Sequence, residues 1–377
     1  MGFFDWFGGN KTQTLDVCNY DIPVEFFYKK LAIDSSVTLI ANAMVKARFR
    51  TLEKGKIKKG EVHYLFNVKP NKNQNASEFI HKFTSDLLYN NEVLAIMLDN
   101  ELYIADSWDK KEFAIKENLY NKVTIGDFTF DRAFNESEVF YFRLNNENIT
   151  KVIDGLYSSY AKLLSVSMTT FKRKNSKKFF AKIGSAFSQK EEDKDDLTDV
   201  LSEPFKKFFG SEGDAIWPLQ EGLDLEEADK NATPSNMTSR DIRAIVDDIF
   251  DFVAMGFHIP KGLLKGDVAD VGGMTDNFLT FCINPVAELL ADEINSKMYT
   301  KSEYLEGSRL VVDTSLIKVI DIGVMANAAD KLLLSGTHNR DENRDMMGLE
   351  PLNSDESTQY YVTKNYGTTQ ESMKGGE

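Results

Sequence analysis

Apolar residues recur at helical spacing in two blocks between Thr238 and Ile294, with a glycine-rich stretch between them. At roughly 100° per residue, Ile242, Ile245, Val246, Ile249, Phe250, Phe252 and Val253 fill one half of a helical wheel. Arg240, Arg243, Asp247, Asp248 and Asp251 crowd the other half. Thr238-Ser239-Arg240-Asp241 is a start signal, because a hydroxyl accepts from first-turn N–H groups while the acid three positions on reaches back. The helix is expected to end near Gly256. His258 to Gly266, with Gly272-Gly273 beyond, then reads as a mobile loop over 258–275, longer than most helix connections. Helical spacing resumes from Met274 through Phe278, Phe281 and Cys282 to Val286, Leu289, Leu290 and Ile294. Pro285 sits inside that run without an N–H for the carbonyl of Phe281, which predicts a kink at Asn284-Pro285.

Upstream, the pattern alternates between the two periods. Helices are expected over 35–48 and 77–89, and short strands over 93–98, 102–105, 113–116, 123–125 and 139–143, which together make an α+β module. A helix follows over 151–170, closed by the basic cluster Lys172, Arg173, Lys174, Lys177 and Lys178, where cations suit the carbonyl end. Next come a strand at 179–184, a charged linker at 190–196, a helix at 197–209 containing Pro204, and a strand pair at 215–219 and 223–225. Thus a small β-α-β-β unit is inserted between two helices. A strand at 309–313, helices near 322–334 and 340–347, and a polar tail complete the chain.

Composition bounds the function. The 377 residues carry 42% hydrophobic and 28% charged side chains, enough for two or three modules with real cores. No apolar run approaches the roughly 20 residues of a membrane span, so no membrane partner is expected. The first residues are short and acidic for a secretory signal, and Trp6 stands where N-myristoylation wants Ser or Thr. Cys18 and Cys282 lie far apart and suggest buried thiols, not a disulfide framework. The net charge of −14 opposes an ordinary nucleic-acid binder. His63, His81, His258 and His338 never meet cysteines or carboxylates at metal-ligand spacing, and no phosphate loop, serine-hydrolase elbow or zinc-protease motif is present. No metal, cofactor or catalytic residue is therefore expected. One enzymatic reading stays open, in which Asp247, Asp248 and Asp251 hold Mg²⁺ for a nucleic-acid enzyme. The other reading of these three is the solvated or tunnel-facing side of an amphipathic helix.

Several segments, in order, resemble the portal proteins of tailed bacteriophages, closest to the compact branch typical of long-tailed phages. They are the Met-Gly-Phe-Phe-Asp-Trp-Phe start, Asp154-Gly155-Leu156, Phe257 to Leu264, Asn277-Phe278-Leu279-Thr280-Phe281, Asn284-Pro285, Glu288, Gly336 to Arg344 and Gly348-Leu349-Glu350-Pro351. One departure is that His338 to Asp341 intervene where the family places Asn-Glu soon after the Thr, which opens the register of the helix there. The resemblance implies a non-enzymatic portal fold: a wing (1–150, with a strand at 308–314 returning to it), a two-helix stem (151–170 and 238–257) and a small α/β clip (171–237). It further implies a tunnel loop (258–275), a kinked long helix (276–297) and a helical crown with a mobile tail (315–377). It implies a homo-oligomeric ring, dodecameric in the family, assembled in the host cytoplasm and placed at the capsid vertex of the virion. Double-stranded DNA would pass through it, and terminase large subunit, head–tail adaptor and major capsid protein would be its partners. Within the loop, Lys261 and Lys265 would meet phosphates in passing, while Val268, Ala269 and Val271 offer little to grip a base. An acidic lining would keep the duplex sliding, since each phosphate paired with Lys or Arg adds a salt-dependent grip. A scaffold or adaptor protein without a DNA role remains the third alternative.

Overall fold

The computed structural model describes residues 24–144, 239–266, 269–318 and 322–361, with helical positions between 151 and 167 and two strands at 179–183 and 223–227. The aromatic start, Cys18, Asp154-Gly155-Leu156, the 190–196 linker, the 197–209 helix, the 215–219 strand, Val268 and the tail from 362 lie outside the described residues. The chain forms two units, one of residues 26–158 with 248–377 and one of residues 1–25 with 159–247.

In the first unit, helix Val24–Val45 buries Ala32, Ile33, Val37, Ile40, Ala41 and Met44. It begins well before the expected 35–48. Ser35-Ser36 mimics a start signal, but the Ser36 hydroxyl donates back to the carbonyl of Ala32 at 2.8 Å from mid-helix. Strand Arg48–Glu53 follows and turns at Lys54-Gly55, both at positive φ, into Lys56–Ile57. On its other side it pairs antiparallel with Arg309–Asp313, Arg48 opposite Asp313 and Leu52 opposite Arg309. Helix Ala76–Asn90 is closed at its start by a reciprocal Asn75–Glu78 capping box and at its end by Asn91 at φ 66°. Its Phe83 meets Phe142 edge-on at 4.8 Å, over a sheet ordered Glu101–Ile104, Glu92–Leu98, Val139–Arg143.

A four-stranded sheet pairs Ser107–Lys111, Leu119–Ile125 and Phe128–Thr129, with Phe134–Asn135 on Leu119–Ile125. The strand expected at 113–116 is absent; Ser107–Lys111 takes that role. Apolar content misleads here, because Ile115 is fully exposed while polar-looking 107–111 alternates, with Trp108 and Lys110 turned inward. The Lys110 ammonium lies 3.8 Å from the centre of the Tyr141 ring, so its aliphatic stem covers an aromatic face.

The second unit holds an antiparallel pair, Phe179–Ile183 with Leu223–Glu227, Phe179 opposite Glu227.

Candidate functional site

Helix Ser239–Gly256 buries Ile249, Val253 and Ala254, and leaves Asp248 exposed. Its end is a Schellman corner built on a histidine. His258 adopts φ 56°, its N–H donates to the Met255 carbonyl at 3.2 Å, and the Ile259 N–H donates to the Ala254 carbonyl at 2.8 Å. Phe257 and Ile259 are buried on either side, which aims the chain back toward the core.

The 258–275 segment is not one irregular loop. Lys261–Lys265 is a helical turn closed by Gly266 at φ 76°, and a second helix starts at Val271. Asp270, itself at φ 47°, caps that start by accepting from the Gly273 N–H at 3.2 Å. A Cβ at Gly273 would lie 2.5 Å from the Asp270 carboxylate, so the glycine pair, read as a flexible stretch, admits a cap. Ala269 and Val271 are exposed.

Lys261 and Lys265 converge on one carboxylate. Lys265 Nζ lies 2.6 Å from Asp251 Oδ1, and Lys261 Nζ donates to Asp251 Oδ2 at 3.3 Å. Burial works against the charge on Asp251, but the two ammonium groups outweigh it and hold the carboxyl below its ordinary range. The candidate phosphate-contacting lysines and one candidate tunnel-facing acid thus form a single ion-paired group, while Asp247 is half-buried and Asp248 exposed on the same helix. A carboxylate engaged by two lysines is a poor Mg²⁺ ligand, and no three His, Cys, Asp or Glu side chains among the described residues are placed to share a metal.

From Val271 to Met298 the backbone stays helical through Pro285. It does so by a π-turn over Leu279–Ile283, in which the Asn284 N–H donates to the Leu279 carbonyl. Pro285 then falls in the first turn of the following α-segment, where a missing N–H costs least. Asn284 is tied sideways, its Oδ1 accepting from the Thr314 hydroxyl at 2.7 Å. A cavity of about 350 Å³ beside this turn is lined by Phe257, His258, Phe281, Cys282 and Pro285. Burial pushes the Cys282 thiol up to about 12, so it is an inert apolar group there.

Past the proline, the helix carries three polar side chains that the sequence reading missed. Asn295, buried, accepts from the Leu310 N–H at 2.7 Å and donates to the Leu310 carbonyl at 2.9 Å, standing in for a further strand beside Arg309–Asp313. Glu293 accepts from the Tyr141 N–H at 3.0 Å, and Lys297 donates to the Glu136 carbonyl. Asn67 performs the Asn295 role on the first strand, accepting from the Phe49 N–H at 3.2 Å and donating to its carbonyl at 2.8 Å. One signal was available: Asn295 directly follows Ile294 on the apolar face of a helix, where an uncompensated amide would be costly.

The late motif resolves as two helix ends and a cap. Gly336 and Gly348, at φ 70° and 77°, close helices Ile322–Leu334 and Arg340–Met346, and Asn339 with Glu342 forms the capping box between them. The insertion at His338 to Asp341 therefore supplies a helix start. Asp341 accepts from the Leu352 and Asn353 N–H groups and from the Ser357 hydroxyl at 2.6 Å.

The arrangement is one of helix corners, edge caps and ion pairs. No helix among the described residues is long and apolar enough to cross a membrane. No curated protein matches the chain. Solved structures with a similar fold include the following two. An HK97 family phage portal protein from Corynebacterium diphtheriae has 13% identity and a TM-score of 0.50, over 77% of this chain and 94% of that one. A chain from the neck of an empty GTA particle has 15% identity and a TM-score of 0.51, over 84% of this chain and 89% of that one. The family described as phage portal protein matches residues 31–348, from the first long helix to the glycine that closes the last one, and the chain belongs to that family of structural virion proteins.

Proposed function

We propose that this portal protein assembles as a closed ring, a dodecamer as in its family, at one capsid vertex of the virion, and that double-stranded DNA enters and later leaves through its channel. The observation that carries this reading is the family match over residues 31–348 together with a likeness spanning 94% of a known portal chain. Residues 1–150 with 308–314 act as wing against the major capsid protein, and 151–170 with 238–257 as stem. Residues 171–237 act as the clip that meets the terminase large subunit and later the head–tail adaptor, and 315–377 as crown. The 258–275 segment borders the channel, and the 276–297 helix bends around it at Asn284-Pro285. The ion pairing of Lys261 and Lys265 with Asp251 supports a passive role, because cations engaged by a carboxylate hold passing phosphates less firmly. Electron microscopy of the purified protein tests the proposal. A ring with a central hole wide enough for duplex DNA is expected; a monodisperse monomer at high concentration in several salts overturns it.

A further inference from the structure

A cleft of about 450 Å³ lies between strand Arg48–Glu53 and the turn after helix Arg340–Met346, and its charged lining is Arg48, Arg50, Lys59, Asp345 and Glu350. Most of these charges are spent on one another. Arg50 bridges Asp313 and Asp345, each at 2.5 Å, and Lys59 pairs with Glu350 at 2.8 Å. Arg48 is half-buried, and its guanidinium makes neither an ion pair nor a hydrogen bond among the described residues, although its charge helps hold the Glu350 carboxyl, already paired with Lys59, below its ordinary range. The fold makes room for it. Gly348 sits at φ 77°, a conformation that favours glycine, and a Cβ there would lie 3.1 Å from Arg48 Nη2, so the guanidinium packs closely over it.

An uncommitted guanidinium in a walled cleft is suited to a bidentate oxyanion. The cleft rim carries Ile57 and Leu349, 52% and 48% exposed, which a nucleic-acid backbone or free phosphate would leave uncovered. A carboxylate flanked by apolar side chains uses both features. The chain itself offers such groups in excess, with 59 acidic against 45 basic residues. We propose that the cleft receives an acidic surface segment of a neighbouring copy of this chain, its carboxylate held by the Arg48 fork beside Lys59. The inference rests on the ring reading above and names one contact within that ring.

The test compares wild type, Arg48→Lys and Arg48→Gln by sedimentation over a range of salt, with thermal melting of each. Wild type should resist salt best, Arg48→Lys less and Arg48→Gln least, with a subunit dissociation constant at least about tenfold higher for the last at unchanged melting temperature. If Arg48→Gln melts early, Arg48→Lys, which keeps the charge and loses the fork, decides the matter. A ring equally salt-resistant in a folded variant overturns the inference and leaves the portal reading intact, whereas a wild type that forms no ring overturns both. Inorganic phosphate titrated into wild type should bind weakly. Tight, Arg48-dependent phosphate binding by an undisturbed ring would make the cleft a small-anion site and overturn the docking contact.

Discussion

At the scale of single residues, two buried groups hold separate parts of the chain. Asn295 satisfies both backbone groups of Leu310, on a strand edge that no other strand covers among the described residues. Asn295→Ala leaves a buried N–H and a buried C=O unpaired, which at about 1–3 kcal/mol each predicts a loss of about 2–6 kcal/mol in urea unfolding. A loss near zero would mean that water replaces the amide. Asp341 makes a different prediction, one of pH. The Ser357 hydroxyl first, then the Leu352 and Asn353 N–H groups, hold its carboxyl below the ordinary range. A depressed carboxylate stabilises the fold above its ordinary pKa, and that contribution disappears as pH falls through the lower folded value. Protection of the Leu352 and Asn353 amides, measured against their intrinsic exchange rates, should therefore fall as the solution is acidified below about pH 4, and Asp341→Asn should remove that dependence. Protection that does not change with pH in the wild type would show that Asp341 does not hold this turn.

At the scale of elements, the long helix shows how the chain accommodates a proline. In a regular α-helix Pro285 would face the Phe281 carbonyl with a ring instead of a donor; the π-turn over Leu279–Ile283 shifts the preceding bonds so that Pro285 opens a new α-segment. Pro285→Ala is expected to let that turn relax to α-helical bonding, with the backbone N–H gained at this position donating to the Phe281 carbonyl. The gain should stay under about 1 kcal/mol, well short of the roughly 3 kcal/mol of an interior proline. A structure of the variant that keeps the π-turn would show that packing, not proline, imposes it. The proline was legible in the sequence because its defect is local; the π-turn was not, because it depends on which neighbours hold the helix on each side. The same division explains the other differences. Periodicity found Ala76–Asn90 and Ser239–Gly256 nearly to the residue, since each has one buried face and its own start and stop signals. It missed helix Lys261–Lys265, whose glycine and two lysines look like a loop until Asp251 gathers them, and strand Ser107–Lys111, whose inward positions are a tryptophan and a lysine stem. The partners of Asn67 and Asn295 were illegible because they are backbone groups 18 and 15 residues away.

For the whole molecule, the question is how, in the proposed ring, a subunit of net charge −14 would manage a polyanion. Repulsion alone keeps a duplex mobile, and the two lysines nearest the proposed channel are quenched by Asp251. That pairing decides which variant is informative. Replacing both lysines by glutamate would gather three carboxylates and disturb the segment whether or not DNA passes near it. Asp251→Asn instead removes the shared carboxylate while keeping the shape of the side chain, and the pair lost to Lys261, whose side chain is 72% exposed, contributes at most about 1 kcal/mol. In the proposed ring, Lys261 would then grip passing phosphates. The logarithmic salt dependence of duplex binding should steepen by about 0.9 for each phosphate newly neutralised, and packaging should slow while assembly stays intact. Unchanged packaging and an unchanged salt slope in a folded, ring-forming Asp251→Asn protein would mean that Lys261 never meets the duplex. The 258–275 segment would then serve as a contact between subunits, and the ion-paired group would be a brace that fixes the angle between the Ser239–Gly256 helix and the Lys261–Lys265 turn.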